Sequence, residues 1–261
     1  MAVTGSPTPG LLAGKTVLVT RPAEQAGGIQ ASLEHHRATV IRFPSLIIRA
    51  PEDPNPATRL LRNLNDYDTV IFSSANAVRH AAQLLQTLGR SFSTQCIAAI
   101  GPATRDALEN LGMQADVVPE AGFSSEDLLA HEDLRGQDIL IIRGVGGRGH
   151  LARELRARGS RVDIAEVYQR LCPATRPAHS LCTHPENDSA VLAYSGESMR
   201  NLWTLCTKEE HAWLAKAALI AGSPRIARTA TAIGFSKTPI IAANASDAAM
   251  LDALLTWTRE T

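Results

Sequence analysis

The sequence predicts an α/β protein made of two similar halves, each containing a parallel β-sheet. Three observations lead to this fold class. Short apolar runs alternate with amphipathic segments along the chain, the first half recurs in the second at an offset of 121 or 122 residues, and each half contains an extended stretch that ends in proline. The alternation predicts strands and helices in turn, and the recurrence predicts a duplicated unit.

Six apolar runs are predicted to be strands that are buried on both faces. They are rich in Val, Ile and Leu, are too short for helices and lack polar alternation. The runs are Thr16–Thr20, Thr69–Ser73, Cys96–Ile100, Asp138–Ile142, Ala190–Tyr194 and Ala217–Ala221. Helical patterns follow them, for example Ala75–Leu88, Ala103–Leu111, His150–Arg158 and Glu197–Cys206. Repeated strand, helix and strand predict parallel sheets with right-handed crossovers.

The internal repeat extends over four blocks of the sequence. The aligned pairs are Arg21 with Arg143, Ser74 with Ser195, Gly101 with Gly222, and Ser124 with Ser246. A period of this length is too long for a solenoid and indicates duplication of a whole α/β unit. The proline-ended stretches, Phe43–Pro51 and Val167–Pro173, are predicted to cross between domains. Because each crossing lies inside a repeat, the duplicated unit and the folded domain are expected to be out of phase.

The composition and the motifs argue against several function classes. Lys plus Arg and Asp plus Glu both number 26, which argues against a nucleic-acid or membrane-surface binder. The four cysteines show neither a CxxC pair nor zinc-ligand spacing, so reduced thiols are expected. The first ten residues lack the pattern of a signal peptide, and no apolar run has membrane-spanning length. A cytoplasmic protein is therefore expected.

Small and hydroxyl-bearing residues follow the predicted strands, where parallel sheets bind ligands. At helix starts, their N–H and hydroxyl groups can hold carboxylates or phosphates, and arginines add positive charge. The candidate binding residues are Arg21, Ser73, Ser74, Asn76, Gly101, Thr104, Arg143, Gly144, Ser195, Gly196, Ser223 and Arg225. The alternatives are that the small residues only cap helices and that the arginines form solvated salt bridges.

The segment Gly144–Gly149 matches the G-x-G-x-x-G pattern of dinucleotide-binding loops. Glu166 follows at about the distance of a ribose-binding acid. The repeat counterpart of this loop lacks the motif, and Glu166 leads directly into the second crossing. A nucleotide-dependent enzyme is therefore the second hypothesis, and a non-catalytic two-lobed anion-binding protein is the third.

Tyr168 lies in the second crossing. It either packs at a domain boundary or places its phenol over a cleft, where it could donate a proton to a departing hydroxyl. Serine-hydrolase, HExxH, P-loop and paired-carboxylate motifs are absent from the sequence. His35 and His36, near a helix end, are expected to face solvent.

Six motifs resemble, in order, those of the uroporphyrinogen-III synthase family. They are VLVTRP, IFSSANAV, AIGPAT, GFSSEDLL, VYQR and GSPRIA, and the resemblance extends from about Leu11 to Leu255. It implies two flavodoxin-like domains joined by a two-stranded linker. Residues 1–44 and 173–261 would form the first domain, residues 49–166 the second, and residues 45–48 and 167–172 the linkers.

The resemblance also implies the reaction. The linear tetrapyrrole hydroxymethylbilane would be cyclised with loss of water and inversion of ring D, through a spiro-pyrrolenine, by a carbon–oxygen lyase that needs no metal or organic cofactor. It further implies a cytoplasmic monomer in haem synthesis, with transient contact with the preceding pathway enzyme and no nucleic-acid or membrane partner.

Residue by residue, the resemblance makes Tyr168 the family's linker tyrosine, the candidate for assisting water loss. Ser74, Thr104 and Ser195 match positions in donor loops. Asn76 stands where some members have a basic residue, and Arg225 stands where some have a hydroxyl residue. The carboxylate contacts are therefore expected to differ from those of such members.

Overall fold

The computed structural model describes residues 10–92, 96–119, 125–130, 134, 137–178 and 180–260. Its strands are Thr16–Val19 (β1), Thr39–Arg42 (β2), Ile47–Arg49 (β3), Thr69–Phe72 (β4), Cys96–Ala99 (β5), Asp138–Gly144 (β6), Arg161–Leu171 (β7), Ser189–Ala193 (β8), Ala218–Ala221 (β9) and Ile240–Ile241 (β10). Its α-helices are Gly27–His35 (α1), Asn55–Arg62 (α2), Ala75–Thr87 (α3), Pro102–Glu109 (α4), Ser125–Leu128 (α5), His150–Ala157 (α6), Gly196–Leu205 (α7), Lys208–Lys216 (α8), Pro224–Ile233 (α9) and Asp247–Glu260 (α10). The six predicted strands and the four predicted helices are all present.

The chain divides into two compact units. The first combines the chain up to Ile47 with the chain from Leu171 onward, and the second is Ile48–Arg170. The first unit has the sheet order β10-β9-β8-β1-β2, with every neighbouring pair parallel. The second has the order β3-β7-β6-β4-β5, and the pairs from β7 to β5 are parallel. The predicted α/β class with parallel sheets is confirmed.

Each sheet is covered by helices on both faces, which explains the uninterrupted apolar runs. In β1, Val17 packs in one core cluster with Ile29 of α1 and Met250 of α10. Leu18, which points to the other face, packs in a second cluster with Met199 of α7. In the second unit, residues of β4 likewise alternate between a cluster containing α3 and α4 and a cluster containing α6.

Serine side chains begin three of the helices that follow central strands. Ser74, Ser195 and Ser223 are the N-caps of α3, α7 and α9, and each side-chain oxygen accepts a backbone N–H of the first turn. Such caps satisfy an otherwise unpaired donor at the helix start. The capping role considered for these residues is therefore present.

The expectation that His35 and His36 face solvent is right for His35, which is exposed, and wrong for His36. His36 is buried, with 2% of its surface exposed, because Leu12, itself fully buried, covers the end of α1 and donates its N–H to the His36 carbonyl at 3.0 Å. Ser124, the repeat partner of Ser246, lies outside the described residues. Across the described ranges, no helix has the length and apolar character needed to cross a membrane.

Candidate active site

The second unit contains a pocket of about 400 Å³ at the carboxyl ends of its strands. It lies where β4 and β6 end. In the sheet, β4 lies between β5 and β6, and the chain runs from β4 to β5 on one side and then from β5 to β6 on the other. Open parallel sheets bind ligands at this kind of reversal in strand order. The lining residues are Ser73, Ser74, Ile100, Ile141, Arg143, Gly144, Gly146, Gly147, Arg148, Leu151, Ala152, Tyr168 and Arg170.

Tyr168 projects into this region from β7 and packs directly on Gly144 of β6. A Cβ atom at Gly144 would lie only 2.6 Å from Cζ of Tyr168, so the ring occupies space that a glycine leaves open. The β6–β7 register shifts between Arg143 and Gly144, so that Arg143 pairs with Glu166 and Gly144 with Tyr168. This irregularity skips Val167 and sets Tyr168, only 5% exposed, beside Gly144.

Ser74 connects Tyr168 to the start of α3. Its Oγ lies 3.1 Å from the Tyr168 hydroxyl oxygen and accepts the N–H of Ala77 at 3.2 Å. With that oxygen already accepting from the helix, the serine can donate its own proton to the phenol oxygen. The phenol proton is then available for another acceptor, and the positive end of the α3 dipole favours negative charge here.

Arg143 and Glu166 form an ion pair at the mouth of the glycine-rich loop. The Nε and Nη2 atoms of Arg143 donate to Glu166 Oε1 at 3.2 and 3.0 Å, and Nη1 donates to the Arg148 carbonyl at 3.1 Å. Gly146 N–H also donates to Glu166 Oε1, at 3.2 Å. Glu166 thus fixes the loop that the nucleotide hypothesis would use and is engaged there, which does not favour a ribose-binding role.

Two further arginines, Arg148 and Arg170, line the same pocket and were absent from the predicted set. Both lie within segments that the sequence singled out, the G-x-G-x-x-G loop and VYQR. Their position in the pocket depends on the path of the loop and of β7, which local sequence does not specify. Together with Arg143 they place three arginines in the pocket lining, the residue type best suited to binding carboxylates.

Three predicted residues of the second unit lie outside the pocket lining. Asn76 accepts a hydrogen bond from Arg79 at 3.1 Å. Gly101 caps α4, and Thr104, 5% exposed, is buried in the first turn of that helix. The pocket therefore brings together five of the predicted residues: Ser73, Ser74, Arg143, Gly144 and Tyr168.

At the corresponding strand ends of the first unit, the predicted residues contact other residues of that unit. Arg21, after β1, forms an ion pair with Asp247 of α10, and its guanidinium carbon lies 4.4 Å from the centre of the Tyr194 ring. The Tyr194 hydroxyl donates to Asp247 Oδ1 at 3.2 Å. Burial, and then the charge of Asp247, raises the pKa of Tyr194 above its ordinary value. The salt-bridge alternative considered for Arg21 and Arg143 is present in both units.

The remaining predicted residues of the first unit surround helix starts. Ser195 accepts the N–H of Ser198 at 3.0 Å, and Ser223 accepts that of Ile226 at 3.4 Å. Gly196 lies close to Thr229, whose Oγ1 would be 3.0 Å from an added Cβ. Arg225 is exposed in the first turn of α9.

The fold and the pocket are those of an α/β enzyme that acts on a small molecule, with a site suited to an anionic ligand. A sequence model described as "Uroporphyrinogen-III synthase HemD" matches residues 28–252. The chain belongs to the uroporphyrinogen-III synthase family, which consists of cyclising lyases.

Individual relatives and solved structures agree with the family. Uroporphyrinogen-III synthase of Salmonella typhimurium is 32% identical over 92% of this chain and 99% of its own length. The synthase of Synechococcus elongatus is 32% identical over 74% of this chain and 75% of its own. A Helicobacter pylori uroporphyrinogen-III synthetase structure has a TM-score of 0.61 at 16% identity, covering 93% of this chain and 99% of that one. A mutant Thermus thermophilus synthase structure gives 0.60 at 15%, covering 95% and 100%, and both matches concern the fold.

Proposed function

We propose that this chain converts hydroxymethylbilane to uroporphyrinogen III, with loss of water and inversion of ring D, and that the pocket of the second unit is where the reaction takes place. The observation that carries the proposal is the grouping of Tyr168, Ser74 and three arginines around one pocket, in a chain of this family. The linear tetrapyrrole has many carboxylates and one hydroxyl to lose. The pocket offers guanidinium groups for the former and a phenol for the latter.

The proposal includes the domain organisation expected from the sequence: flavodoxin-like domains of residues 1–44 with 173–261 and of residues 49–166, with linkers 45–48 and 167–172. The first sheet supports it, because β2-β1-β8-β9-β10 is the 2-1-3-4-5 order typical of flavodoxin. The second sheet supports it with the order β5-β4-β6-β7, to which β3 is added. The two-stranded linker is supported by the pairing of β3 with β7 and by the hydrogen bond from Gln169 Nε2 to the Ala50 carbonyl, at 3.1 Å.

The first chemical step we propose is the loss of the hydroxyl group. Tyr168 donates its phenol proton to the leaving oxygen while the carbon–oxygen bond breaks, so that water departs and an azafulvene cation remains. Electrons from the pyrrole nitrogen stabilise this cation. Ser74 then donates to the phenolate oxygen, and the N-terminus of α3 stabilises its negative charge.

The later steps depend on positioning. A ring-D carbon attacks the cation to form the spiro-pyrrolenine, one bond of the spiro centre breaks, and the ring recloses in the inverted orientation. The proton released when the last pyrrole is restored returns to Tyr168, which balances the overall loss of one water. We assign carboxylate binding to Arg148 and Arg170, while Arg143, paired with Glu166, keeps the loop in place.

We further propose that the enzyme is a cytoplasmic monomer without nucleic-acid or membrane partners, and that it contacts the preceding pathway enzyme transiently. The state of the cysteines supports the compartment. Cys172, Cys182 and Cys206 are free thiols, as is usual in a reducing environment.

The test is to mix the purified protein with freshly made hydroxymethylbilane and to separate the product isomers by chromatography. The proposal expects the type III isomer, whereas type I alone, the product of closure without inversion, would contradict it. Tyr168→Phe should lower turnover by about 10- to 100-fold and leave residual activity, because positioning remains. Tyr67→Phe is the matched control: it removes a phenol hydroxyl of the same unit that donates to Asp163 at 2.8 Å and does not line the pocket, so turnover should stay close to wild type.

A further inference from the structure

His80 of α3 stacks against the ring of Tyr168. The ring centroids are 5.6 Å apart and the planes meet at 23°, within the range of offset-stacked aromatic pairs. His80 does not line the active-site pocket. Instead it lines a separate cavity of about 190 Å³, together with residues such as Pro51, Pro54 and Val167. The imidazole thus supports the tyrosine ring without being part of the pocket that would hold substrate.

Three contacts among the described residues define the setting of the tyrosine side chain. Gly144 offers bare backbone on one side, Ser74 binds the hydroxyl oxygen, and His80 supplies a flat surface for the ring. A single hydrogen bond leaves a ring free to tilt about the bonded oxygen, whereas a stacked partner restricts that tilt. Orientation matters because a misplacement of about 1 Å can cost about 100-fold in rate.

The internal repeat gives an independent indication that this helix position holds the crossing strand. At the offsets of 121 and 122 residues, His80 corresponds to Asn201 of α7, and Tyr168 corresponds to Leu46. Asn201 Nδ2 donates to the carbonyl of Ser45, next to Leu46, at 2.9 Å. The same helix position therefore contacts the same crossing in both halves, through an amide in one and an imidazole in the other.

We propose that His80 is a positioning residue that holds the phenol of Tyr168 in the orientation needed to protonate the leaving hydroxyl. The inference rests on the proposed role of Tyr168. Burial, followed by the charge of Arg79, lowers the pKa of His80, so the ring is neutral at neutral pH and charges only in acid. Among the residues that the structure describes, the titratable groups seen to interact with it are Arg79, on its own helix, and Tyr168, on β7. The other residues of its cavity are uncharged and come from α2, α3, β7 and the segment before α2: Ala50, Pro51, Pro54, Ala57, Gln83, Leu84, Thr87 and Val167.

The experiment compares His80→Ala with His80→Phe in the full-length protein. The alanine variant should lose about 10-fold in kcat with KM within about 2-fold of wild type, since orientation and not substrate binding is removed. The phenylalanine variant keeps a stacking surface that cannot titrate. It should recover most of the lost kcat and should also lack the decline in acid that protonation of His80 gives the wild type. Asn201→Ala, the matched control in the other half, should lower Tm while leaving kcat and the pH profile unchanged.

The outcomes separate this inference from the proposed function. A wild-type protein that yields only the type I isomer, or a Tyr168→Phe variant with full turnover, would overturn both. With those two results as expected, an alanine variant with wild-type kcat would overturn the role of His80 alone. A phenylalanine variant as slow as the alanine variant, or one that keeps the acid decline, would do the same.

Discussion

Replacing Gly144 by alanine tests how closely Tyr168 is held. The added Cβ would lie 2.6 Å from Cζ and 2.8 Å from Cε2 of the tyrosine ring. Because carbon atoms in contact are about 3.5–4.0 Å apart, the ring must move by about 1 Å. The ring is 5% exposed and stacked on His80, so little space is available for the movement. Overpacking of this kind costs about 1–3 kcal/mol.

The loss in rate should exceed the loss in stability. A shift of about 1 Å breaks the 3.1 Å contact between Ser74 and the phenol and misplaces the proton donor. We expect kcat for the type III product to fall by about 100-fold. Differential scanning calorimetry should show Tm falling by about 2–4 °C for each kcal/mol lost. Gly149→Ala is the matched control, since no atom lies within 4 Å of its added Cβ and its φ of −80° suits alanine.

A double-mutant cycle identifies the path of the effect. If alanine at position 144 acts by displacing the Tyr168 hydroxyl, it should reduce kcat much less in a Tyr168→Phe background than in wild type. Equal reductions in both backgrounds, or a Gly144→Ala variant with wild-type kcat and isomer ratio, would refute the reasoning.

Two further predictions concern ion pairs. Glu210, 2% exposed, accepts from Arg176, Thr207 N–H and Leu181 N–H. Burial raises the pKa of the Glu210 carboxyl, but these hydrogen bonds outweigh burial and lower the pKa to about 2. The carboxylate therefore stabilises the fold fully above about pH 4.5, and this contribution declines as the pH falls toward 2. Glu210→Gln should therefore lower the free energy of unfolding by about 3 kcal/mol at pH 7. The difference in Tm between the variant and the wild type should become smaller below pH 4.5. A difference in Tm that does not change with pH would contradict the prediction. Asp247→Asn should lower the free energy of unfolding by about 1 kcal/mol. It should also lower the pKa of Tyr194, because the charge of Asp247 is the second contribution to that raised pKa. Ultraviolet titration in a Tyr67→Phe/Tyr168→Phe background measures this pKa, and an unchanged value would show that burial alone raises it.

The predictable part of the fold is the part set by local pattern. Strands such as β1 and β4, whose four residues are all buried, are recognisable as apolar runs because both faces of each sheet are covered. The two-residue strand β10 and the edge strand β2, which is mostly exposed, carry no such pattern. The burial of His36 was not predicted, because the chain that contacts it includes Leu12, 24 positions earlier, whose N–H binds the His36 carbonyl.

The site divides in the same way. Helix caps at Ser74, Ser195 and Ser223 follow from a serine placed between a strand and a helix, which is a local signal. The partners of the arginines cannot be predicted from local sequence. The Arg21–Asp247 pair, for example, joins residues 226 positions apart and depends on where α10 packs. The stacking of His80 on Tyr168 likewise depends on the register shift between β6 and β7.

The two arginine ion pairs differ in where their carboxylates lie in the sequence repeat. Arg21 and Arg143 occupy equivalent positions, yet their carboxylates do not: the repeat equivalent of Glu166 is Pro44, and that of Asp247 is Ser125. Two copies of one duplicated unit would carry the carboxylate at the same position, next to the equivalent arginine. At least one half has therefore acquired a carboxylate partner that the other half lacks at the equivalent position. Because neither carboxylate has a counterpart at the equivalent position of the other half, replacing Asp247 or Glu166 by a neutral residue removes the ion pair of one arginine and leaves that of the other intact.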